Sequence, residues 1–270
     1  MIVKFNSYFK FYTFLKLNIN LRVKMIKLLE LDNVSLSYYS LKKETKALQN
    51  VSFNIFEGEF VSIVGPSGCG KTTILSLITS LIKPSGGKIK TKKDTSFGYM
   101  FQKDLLFDWQ TILQNICIGL NIQKKLTPEN VNYAKSLAIK YGLKDFLNSY
   151  PKELSGGMRQ RTALIRTLAL RPDILLLDEP FSALDFQTRL NVCDDVSTIL
   201  KQEQKTALLV THDINEAISL SDKVIVLSKR PATIKKIVDI NLNKEIPPMM
   251  RRKEKKFNYY FDEIWSLFND

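Results

Sequence analysis

The chain has 270 residues, of which 44% are hydrophobic and 25% charged, so it can form one domain with a full core. Its three cysteines are scattered, which argues against a disulfide framework or a metal site and fits a reducing cytoplasm. The net charge of +13 is compatible with nucleic-acid binding, but no helix-turn-helix, zinc-finger or RNP-like motif accompanies it, and no nucleic-acid partner is expected.

Residues 1–24 interleave aromatic side chains with lysines and contain no acidic residue. Lys10 and Lys16 interrupt the apolar residues, so a cleaved signal peptide is not expected. The sequence contains no run of about 18 apolar residues, so no membrane span is predicted. We predict that this segment is a poorly ordered extension before the domain, with upstream sequence from a misplaced start or an amphipathic membrane-surface helix as alternatives.

The next segments alternate apolar and polar residues in the manner of β-strands. Two such strands are predicted at 29–38 and 51–56, separated by a polar loop at 40–46. They predict an antiparallel subdomain beside the main sheet. Tyr38 or Tyr39 could stack on an adenine ring, although packing within the strand is the commoner role of such a tyrosine.

A glycine-rich loop follows an apolar strand at 59–64 and precedes a helix predicted at 72–82. This order is the context in which the motif G-x-x-x-x-G-K-S/T binds phosphate. Glycines let successive backbone N–H groups face one anion, the Lys71 ammonium reaches the outer phosphates, and the Thr72 hydroxyl can ligate Mg²⁺. We therefore predict a nucleoside triphosphate site formed by Gly65, Pro66, Ser67, Gly68, Cys69, Gly70, Lys71, Thr72 and Thr73.

One residue of this loop suggests a separate hypothesis about reactivity. Cys69 lies beside the Lys71 ammonium at a helix N-terminus, and both features favour its thiolate form. Cys117 and Cys193 lie in apolar helical surroundings. We predict that Cys69 is the fastest-reacting cysteine of the chain if solvent reaches it, and that bound nucleotide protects it.

A mostly helical insert is predicted at 104–150, after a strand that ends at Gln102. Thr127 and Pro128 provide the cap and the first-turn proline that are typical of a helix start. Ser155-Gly156-Gly157 then opens another helix, whose N-terminus could bind an anion. By itself a Ser-Gly-Gly helix start is a weak signal.

Two acidic residues end a continuous apolar run at 174–177, which is typical of a central parallel strand. Carboxylates in that position are costly unless they serve chemistry. In a phosphoryl-transfer site, Asp178 would orient hydrated Mg²⁺ and Glu179 would polarise the attacking water. His212, the single histidine, ends the next predicted strand and is a candidate contact to the γ-phosphate.

Taken together, these segments resemble the ATP-binding cassette (ABC) family of transport ATPases. The resemblance covers residues 27–230 and rests on six motifs in the family's order. They are Walker A at 65–72, the Q-loop at Gln102, the signature at 154–157, Walker B with its glutamate at 174–179, the D-loop at 182–185 and the switch histidine at His212.

The resemblance implies an α/β fold of the P-loop NTPase type, with a mostly parallel core sheet, an antiparallel β subdomain and a helical insert. It places an ATPase domain at 25–240, a helical subdomain within it at about 104–170, and a basic helical tail at 241–270. It also implies ATP and Mg²⁺ as cofactors. The implied catalytic residues are Glu179, His212 and Gln102, and the implied metal contacts are Thr72, Gln102 and Asp178.

The resemblance further implies a head-to-tail homodimer that holds two ATP molecules between its chains. Each ATP would contact Walker A of one chain and Ser155-Gly156-Gly157 of the other, with Tyr38 as the adenine-stacking residue and Asp185 as part of the site. The helical insert would meet a membrane permease at the cytoplasmic face of the cell membrane, and a substrate-binding protein would act indirectly.

Within the family, three details resemble the importers of nitrate, sulfonates, taurine and thiamine precursors. They are residues 158–161, Trp109 followed by Thr111, and Arg230-Pro231. Asp108 and Ala232 depart from that group, in which proline and glycine are usual.

Trp109 is predicted near the permease contact, with core packing as the alternative. An ABC ATPase of another transport system, or a nucleic-acid-associated one, is the alternative function.

Overall fold

The computed structural model describes residues 26–40 and 43–269 of the protein, so the predicted extension at 1–24 lies outside the described residues. The strands in this part are β1 (Lys27–Ser40), β2 (Lys43–Phe56), β3 (Phe60–Val64), β4 (Gly86–Thr91), β5 (Phe97–Met100), β6 (Ile174–Asp178), β7 (Thr206–Val210), β8 (Lys223–Leu227) and β9 (Ile234–Asp239). The α-helices are α1 (Lys71–Ile78), α2 (Ile112–Ile122), α3 (Pro128–Lys140), α4 (Gly156–Leu168), α5 (Phe186–Gln202), α6 (Ile214–Leu220), α7 (Pro248–Arg251) and α8 (Lys255–Asn269).

A six-stranded sheet forms the core, in the order β5-β6-β7-β3-β8-β9. Its first five strands are parallel, and β9 pairs antiparallel with β8. Every residue of β6 and β7 is buried, as their continuous apolar sequences require. Because β6, β7 and β3 are neighbours, the loops at their carboxyl ends meet at one edge of the sheet, where ligands of such folds bind.

A second sheet has the order β2-β1-β4 and is antiparallel throughout. The polar loop predicted at 40–46 is largely wrong, because Tyr38 pairs with Thr45 and Ser40 pairs with Lys43. Polar residues are compatible with strand pairing here, since an antiparallel sheet can leave one face in water. The sheet packs its apolar face against α1 and the core strands.

The helix after the phosphate loop is shorter than predicted, ending at Ile78 rather than at 82. Ser80 has a left-handed backbone (φ 59°), and the N–H of Leu81 donates to the carbonyl of Ser76 at 2.9 Å. These are features of a Schellman ending, in which a left-handed residue stops the helix and satisfies its last carbonyls. Apolar periodicity continues beyond Ile78, which explains why the sequence overestimates the length.

Helix α3 of the insert begins at Thr127-Pro128, as predicted, whereas the first helix of the insert, α2, begins at Ile112. Thr111 and Gln114 form a capping box at the start of α2, and the Thr127 hydroxyl accepts a hydrogen bond from the N–H of Asn130 at the start of α3. Helices α2 to α5 share one apolar core with strands β6 and β7. This packing fixes the start of α4 relative to the loop that follows β6.

The C-terminal helix α8 shares a core with the sheet. Phe257 and Ile264 are buried against α6, β8 and β9, and Lys236 of β9 forms a 2.6 Å ion pair with Glu263. In the described part of the chain, no helix is long and apolar enough to cross a membrane. The division into residues 25–240 and 241–270 stays a prediction.

Candidate ATP-binding and hydrolysis site

The glycine-rich loop between β3 and α1 wraps around the ammonium group of Lys71. Its Nζ donates to the carbonyl oxygens of Gly65 at 3.0 Å and Pro66 at 3.2 Å, and the side chain is buried. Gly68 and Gly70 have φ angles of +72° and +123°, which other residues rarely adopt. A Cβ at Gly70 would also lie 2.9 Å from a methyl group of Leu48. Both effects require glycine at 70.

The loop residues fit a triphosphate. A Cβ at Gly68 would meet no atom within 4 Å, so the outer side of the loop is open to a ligand. Helix α1 begins immediately after Gly70 and directs its unpaired N–H groups and its positive dipole end towards the loop. Together with the Lys71 ammonium, these groups would hold the phosphates of ATP.

Two oxygen donors of the kind that Mg²⁺ prefers lie together at this edge. The Thr72 hydroxyl donates to Asp178 Oδ1 at 3.0 Å, across the gap between α1 and β6. Mg²⁺ in phosphoryl-transfer sites is held by one or two protein oxygens, substrate phosphates and water, so this pair fits the ion. When bound, it would neutralise charge that develops on the transferring phosphate.

Gln102 contacts the D-loop. Its amide nitrogen donates to Ser182 Oγ at 3.1 Å, and that hydroxyl donates to the carbonyl of Glu179 at 2.9 Å. A chain of hydrogen bonds therefore joins the end of β5 to the residue that follows Walker B. The predicted contact of Gln102 with the metal stays a prediction.

Asp178 is held on both of its carboxylate oxygens. In addition to Thr72, the Tyr99 hydroxyl donates to Oδ2 at 2.9 Å. Burial raises the pKa of Asp178, and the hydrogen bonds from Tyr99 and Thr72 oppose that rise. The sequence did not single out Tyr99. It faces the site because β5 lies parallel to β6, with Tyr99 beside Leu176.

Glu179 has a left-handed backbone, with φ of 44°. This conformation costs a residue with a Cβ about 1–2 kcal/mol, and it is held here by a 2.8 Å hydrogen bond from the Glu179 N–H to the carbonyl of Val210. The turn brings Oε2 to 3.1 Å from Nδ1 of His212. The structure therefore brings the two predicted catalytic residues together, and strain at this position suggests that their contact serves function.

A buried carboxyl group lies beneath His212. Glu216 accepts a 2.7 Å hydrogen bond from Thr211, and burial raises its pKa to about 7. The Thr211 hydrogen bond and Arg189 oppose the rise, and Asp213 adds to it. Arg189 also donates to the carbonyl of Leu184 at 3.1 Å, so one guanidinium spans the D-loop and the start of α6.

We expect Glu216→Gln to remove a pH dependence of stability. The folded chain keeps the proton of Glu216 up to about pH 7, whereas the carboxyl has an ordinary pKa of 4.5. Its stabilising contribution is thus complete below pH 4.5 and is lost as the pH rises towards 7. Urea unfolding from pH 5 to 8 should show that the free energy of unfolding of the variant rises relative to that of the wild type as the pH increases. A difference in free energy of unfolding that stays constant with pH would contradict the assignment.

Tyr38 lies beside the phosphate loop. Its hydroxyl oxygen is 3.4 Å from Oγ1 of Thr73, and the side chain is 46% exposed. An aromatic face is therefore available next to the loop, where the base of a bound nucleotide could stack. Tyr39 points to the other face of the strand, as strand alternation requires, and is 75% exposed.

Arg230 is a second residue that the sequence did not assign to the site. Its guanidinium donates to the carbonyl of Gly68 at 2.8 Å, so the loop after β8 carries a cation to the phosphate loop. The Arg230-Pro231 pair was noted only as a group resemblance. Nothing local in the sequence reveals this contact, because it joins segments more than 150 residues apart.

The signature residues pack against the D-loop. The Ser155 hydroxyl caps α4 by accepting from the N–H of Met158 at 3.3 Å. A Cβ on Gly156 would lie 3.2 Å from Leu184, and one on Gly157 would lie 3.1 Å from Val192. Small residues therefore let α4 approach α5 closely.

Asp185 ends the D-loop as the N-cap of α5. Its carboxylate accepts from the N–H of Thr188 at 3.0 Å, and hydrogen bonds from the Thr188 side chain and backbone lower its pKa. This contact gives Asp185 a structural role. Its predicted place in the nucleotide site stays a prediction.

The condition of the Cys69 hypothesis, that solvent reaches the thiol, is not met in this fold. The thiol is only 2% exposed, and its sulfur would lie 2.9 Å from a Cβ on Gly65. Burial raises the pKa of Cys69, although Lys71 and the backbone N–H groups oppose the rise. Loss of solvation outweighs the helix dipole, since the dipole effect amounts to about 1 kcal/mol.

The comparisons with known proteins decide the family. The family model described as ABC transporter matches residues 48–182. The chain is 48% identical over 250 residues to the uncharacterized ABC transporter ATP-binding protein YtlC of Bacillus subtilis, covering 89% of this chain and 95% of that protein. The chain belongs to the ABC transporter ATP-binding proteins. It is an ABC ATPase with the α/β fold of P-loop NTPases, as the resemblance predicted.

Two further matches extend this assignment. The ABC ATPase is 40% identical to the nitrate import ATP-binding protein NrtD of Synechocystis, over 88% of this chain and 94% of that protein. A solved dimeric ATP-binding cassette in a post-hydrolysis state with ADP and Pi matches with a TM-score of 0.67 and 32% identity, over 79% of this chain and 99% of that one. Family and neighbours thus support ATP binding and hydrolysis.

Proposed function

We propose that the protein is the ATP-hydrolysing subunit of an ABC importer, which drives uptake of a small anionic or polar solute through a separate membrane permease. The observation that carries the proposal is the 40% identity to a nitrate import ATP-binding protein across nearly the full length of both chains. The site geometry supports it, because phosphate-binding, metal-binding and water-activating groups meet at one edge of the sheet.

The site residues then take distinct roles. The Lys71 ammonium and the loop N–H groups bind the phosphates, while Thr72 and Asp178 hold Mg²⁺. Glu179 accepts a proton from the attacking water. His212 orients Glu179 through their 3.1 Å contact and reaches towards the γ-phosphate. All of these roles fall on residues that the sequence predicted for the site, and the other residues of the site only position them.

A second copy of the chain would complete the site. The N-terminus of α4, which is the positive end of its dipole, packs within one chain against the D-loop and α5. Head-to-tail pairing would bring Ser155-Gly156-Gly157 of one subunit over the phosphate loop of the other. A polyanion between two helix N-termini holds them together, so dimerisation would depend on ATP. The dimeric state of the solved cassette supports this arrangement.

An exposed apolar surface, the insert patch, offers a contact for the permease. Trp109 is 73% exposed and contacts Phe107 with the ring centroids 5.1 Å apart and the rings tilted by 49°, so the alternative of core packing for Trp109 is wrong. Phe101 and Leu105 are also about half exposed. Exposed apolar side chains in a contiguous segment mark interaction sites. Because the segment directly follows Gln102, a partner here would sense the state of the nucleotide site.

We propose nitrate, taurine or a related sulfonate as the solute, because the chain is 40% identical to a nitrate import ATP-binding protein and 39% identical to an aliphatic sulfonates import ATP-binding protein. A permease partner would keep the subunit at the cytoplasmic face of the membrane, and a substrate-binding protein would deliver the solute from the other side. Uptake of labelled nitrate, taurine and an alkanesulfonate in cells without this gene tests the proposal. Loss of one uptake, restored by the gene, supports it, and unchanged uptake of all three contradicts nitrate and sulfonates as the solutes.

Trp109→Ala should reduce transport strongly and leave the basal ATPase rate of the isolated subunit within about twofold. Its ring is largely in water, so the fold does not depend on it. Transport is measured in membrane vesicles that hold the subunit assembled with its permease, and the ATPase rate is measured on the isolated subunit. Tyr259→Ala, which removes an exposed aromatic ring from α8, is the matched control. Equal transport by both variants and the wild type would argue against the insert patch.

A further inference from the structure

The Tyr99 hydroxyl is the only donor from β5 to the Asp178 carboxylate among the described residues, at 2.9 Å from Oδ2. Oδ1 accepts from Thr72, whose hydroxyl is itself a proposed metal contact. A ligand that engages Thr72 would draw this hydroxyl away from Oδ1. The Tyr99 hydrogen bond would then remain to fix the rotation of the carboxylate.

Packing holds Tyr99 in place for a role in fixing the Asp178 carboxylate. Its backbone is fixed in the sheet by parallel pairing of β5 with β6, in register with Leu176. Its ring packs on Phe101 with the centroids 4.5 Å apart. Asp178 is buried, with 7% of its surface exposed, so water cannot readily replace a lost donor. A rigid donor therefore faces a buried acceptor.

We propose that Tyr99 is a positioning residue that orients the Asp178 carboxylate for hydrated Mg²⁺ and thereby sets the affinity of the site for the metal-nucleotide complex. The proposal rests on the proposed roles of Thr72 and Asp178. Partners that orient a metal-binding group typically contribute about 10- to 100-fold to metal affinity. Tyr99 acts through Asp178, so binding of ATP without metal does not depend on it.

The experiment measures metal dependence in the absence of turnover. In the Glu179→Gln background, binding of a fluorescent ATP analogue is titrated with Mg²⁺ and measured separately with EDTA. Tyr99→Phe should raise the Mg²⁺ concentration at half-saturation about tenfold. Binding in EDTA should not change. Tyr99→Met, which also lacks the hydroxyl, gives the same shift if the donor is what matters.

Two controls separate the possible failures. Tyr150→Phe removes a half-exposed hydroxyl far along the chain and should leave the Mg²⁺ titration unchanged. Asp178→Asn should itself weaken Mg²⁺ binding, and adding Tyr99→Phe to it should cause no further shift. If Asp178→Asn leaves the titration unchanged, the proposed metal site is wrong.

If Asp178→Asn shifts the titration but both Tyr99 variants do not, Tyr99 has no positioning role and the proposal is overturned. A lower melting temperature with an unchanged Mg²⁺ titration would likewise assign Tyr99 a purely structural role. Equal loss of binding with and without metal would also overturn it, because the effect would then not act through the metal.

Discussion

Glu179→Gln is expected to lower the rate of ATP hydrolysis by about 10²- to 10⁴-fold and to leave ATP binding intact. The amide has the shape of the carboxylate and can stay near His212, 3.1 Å away, but it cannot accept a proton from water. The left-handed backbone at this residue is unchanged by the substitution. Binding and chemistry should therefore separate in this variant.

The measurements are phosphate release, equilibrium ATP binding, and molecular size by gel filtration with ATP or ADP. If two subunits enclose ATP, the variant should accumulate as a dimer with ATP and return to a monomer with ADP. Glu203→Gln, which alters a partly buried carboxylate paired with Lys140 and Tyr141 outside the site, is the control and should hydrolyse ATP normally. Near wild-type hydrolysis by Glu179→Gln would refute the assignment of the general base.

Local sequence context predicted most of the site, since each group lies at the end of one strand or the start of one helix. The phosphate loop, Asp178-Glu179 and His212 each follow a recognisable apolar strand. The order β6-β7-β3 in the sheet then brings them together, because parallel strands end at the same edge. Apolar strands and motif positions were therefore sufficient to predict which residues gather at this edge, while the fold class followed from the family resemblance that those motifs carry.

Contacts between distant segments could not be predicted in the same way. The Tyr99 hydroxyl meets Asp178 across 79 residues, and Arg230 meets Gly68 across 162 residues. Both contacts depend on which strands are neighbours and on side-chain rotamers, which no local pattern encodes. A tyrosine that donates to a buried carboxylate looks, in sequence, like any aromatic residue of a strand.

Burial also determined the direction of pKa shifts at two residues where a neighbouring cation favours the opposite shift. At Cys69 the ammonium of Lys71 and the helix dipole favour a thiolate, yet burial of the side chain in an apolar cluster removes the solvent. At Glu216 a buried position raises the pKa despite the nearby Arg189. Tertiary packing supplies this burial, of the second sheet near Cys69 and of α6, which carries Glu216, against the core sheet.

Lys71→Ala is expected to weaken ATP binding by at least about 10²-fold. The ammonium would lie close to the outer phosphates, and an ion pair about 4 Å apart is worth about 4 kcal/mol at an effective dielectric constant of 20. Lys71→Arg keeps the charge but not the compact ammonium, and should recover only part of the affinity because the loop closes tightly around Nζ.

The Lys71 measurement is a titration of the same fluorescent ATP analogue with Mg²⁺ in excess, together with a thermal melt. The variant removes the side-chain donor to the carbonyls of Gly65 and Pro66, of which the Pro66 carbonyl still accepts from the N–H of Cys69, and this loss can cost about 1–3 kcal/mol of stability. Binding is therefore compared at a temperature where the melt shows both proteins folded. Lys152→Ala, which removes an exposed lysine outside the loop, should bind as the wild type does. A folded Lys71→Ala protein with wild-type affinity for ATP would show that the loop is not the phosphate site.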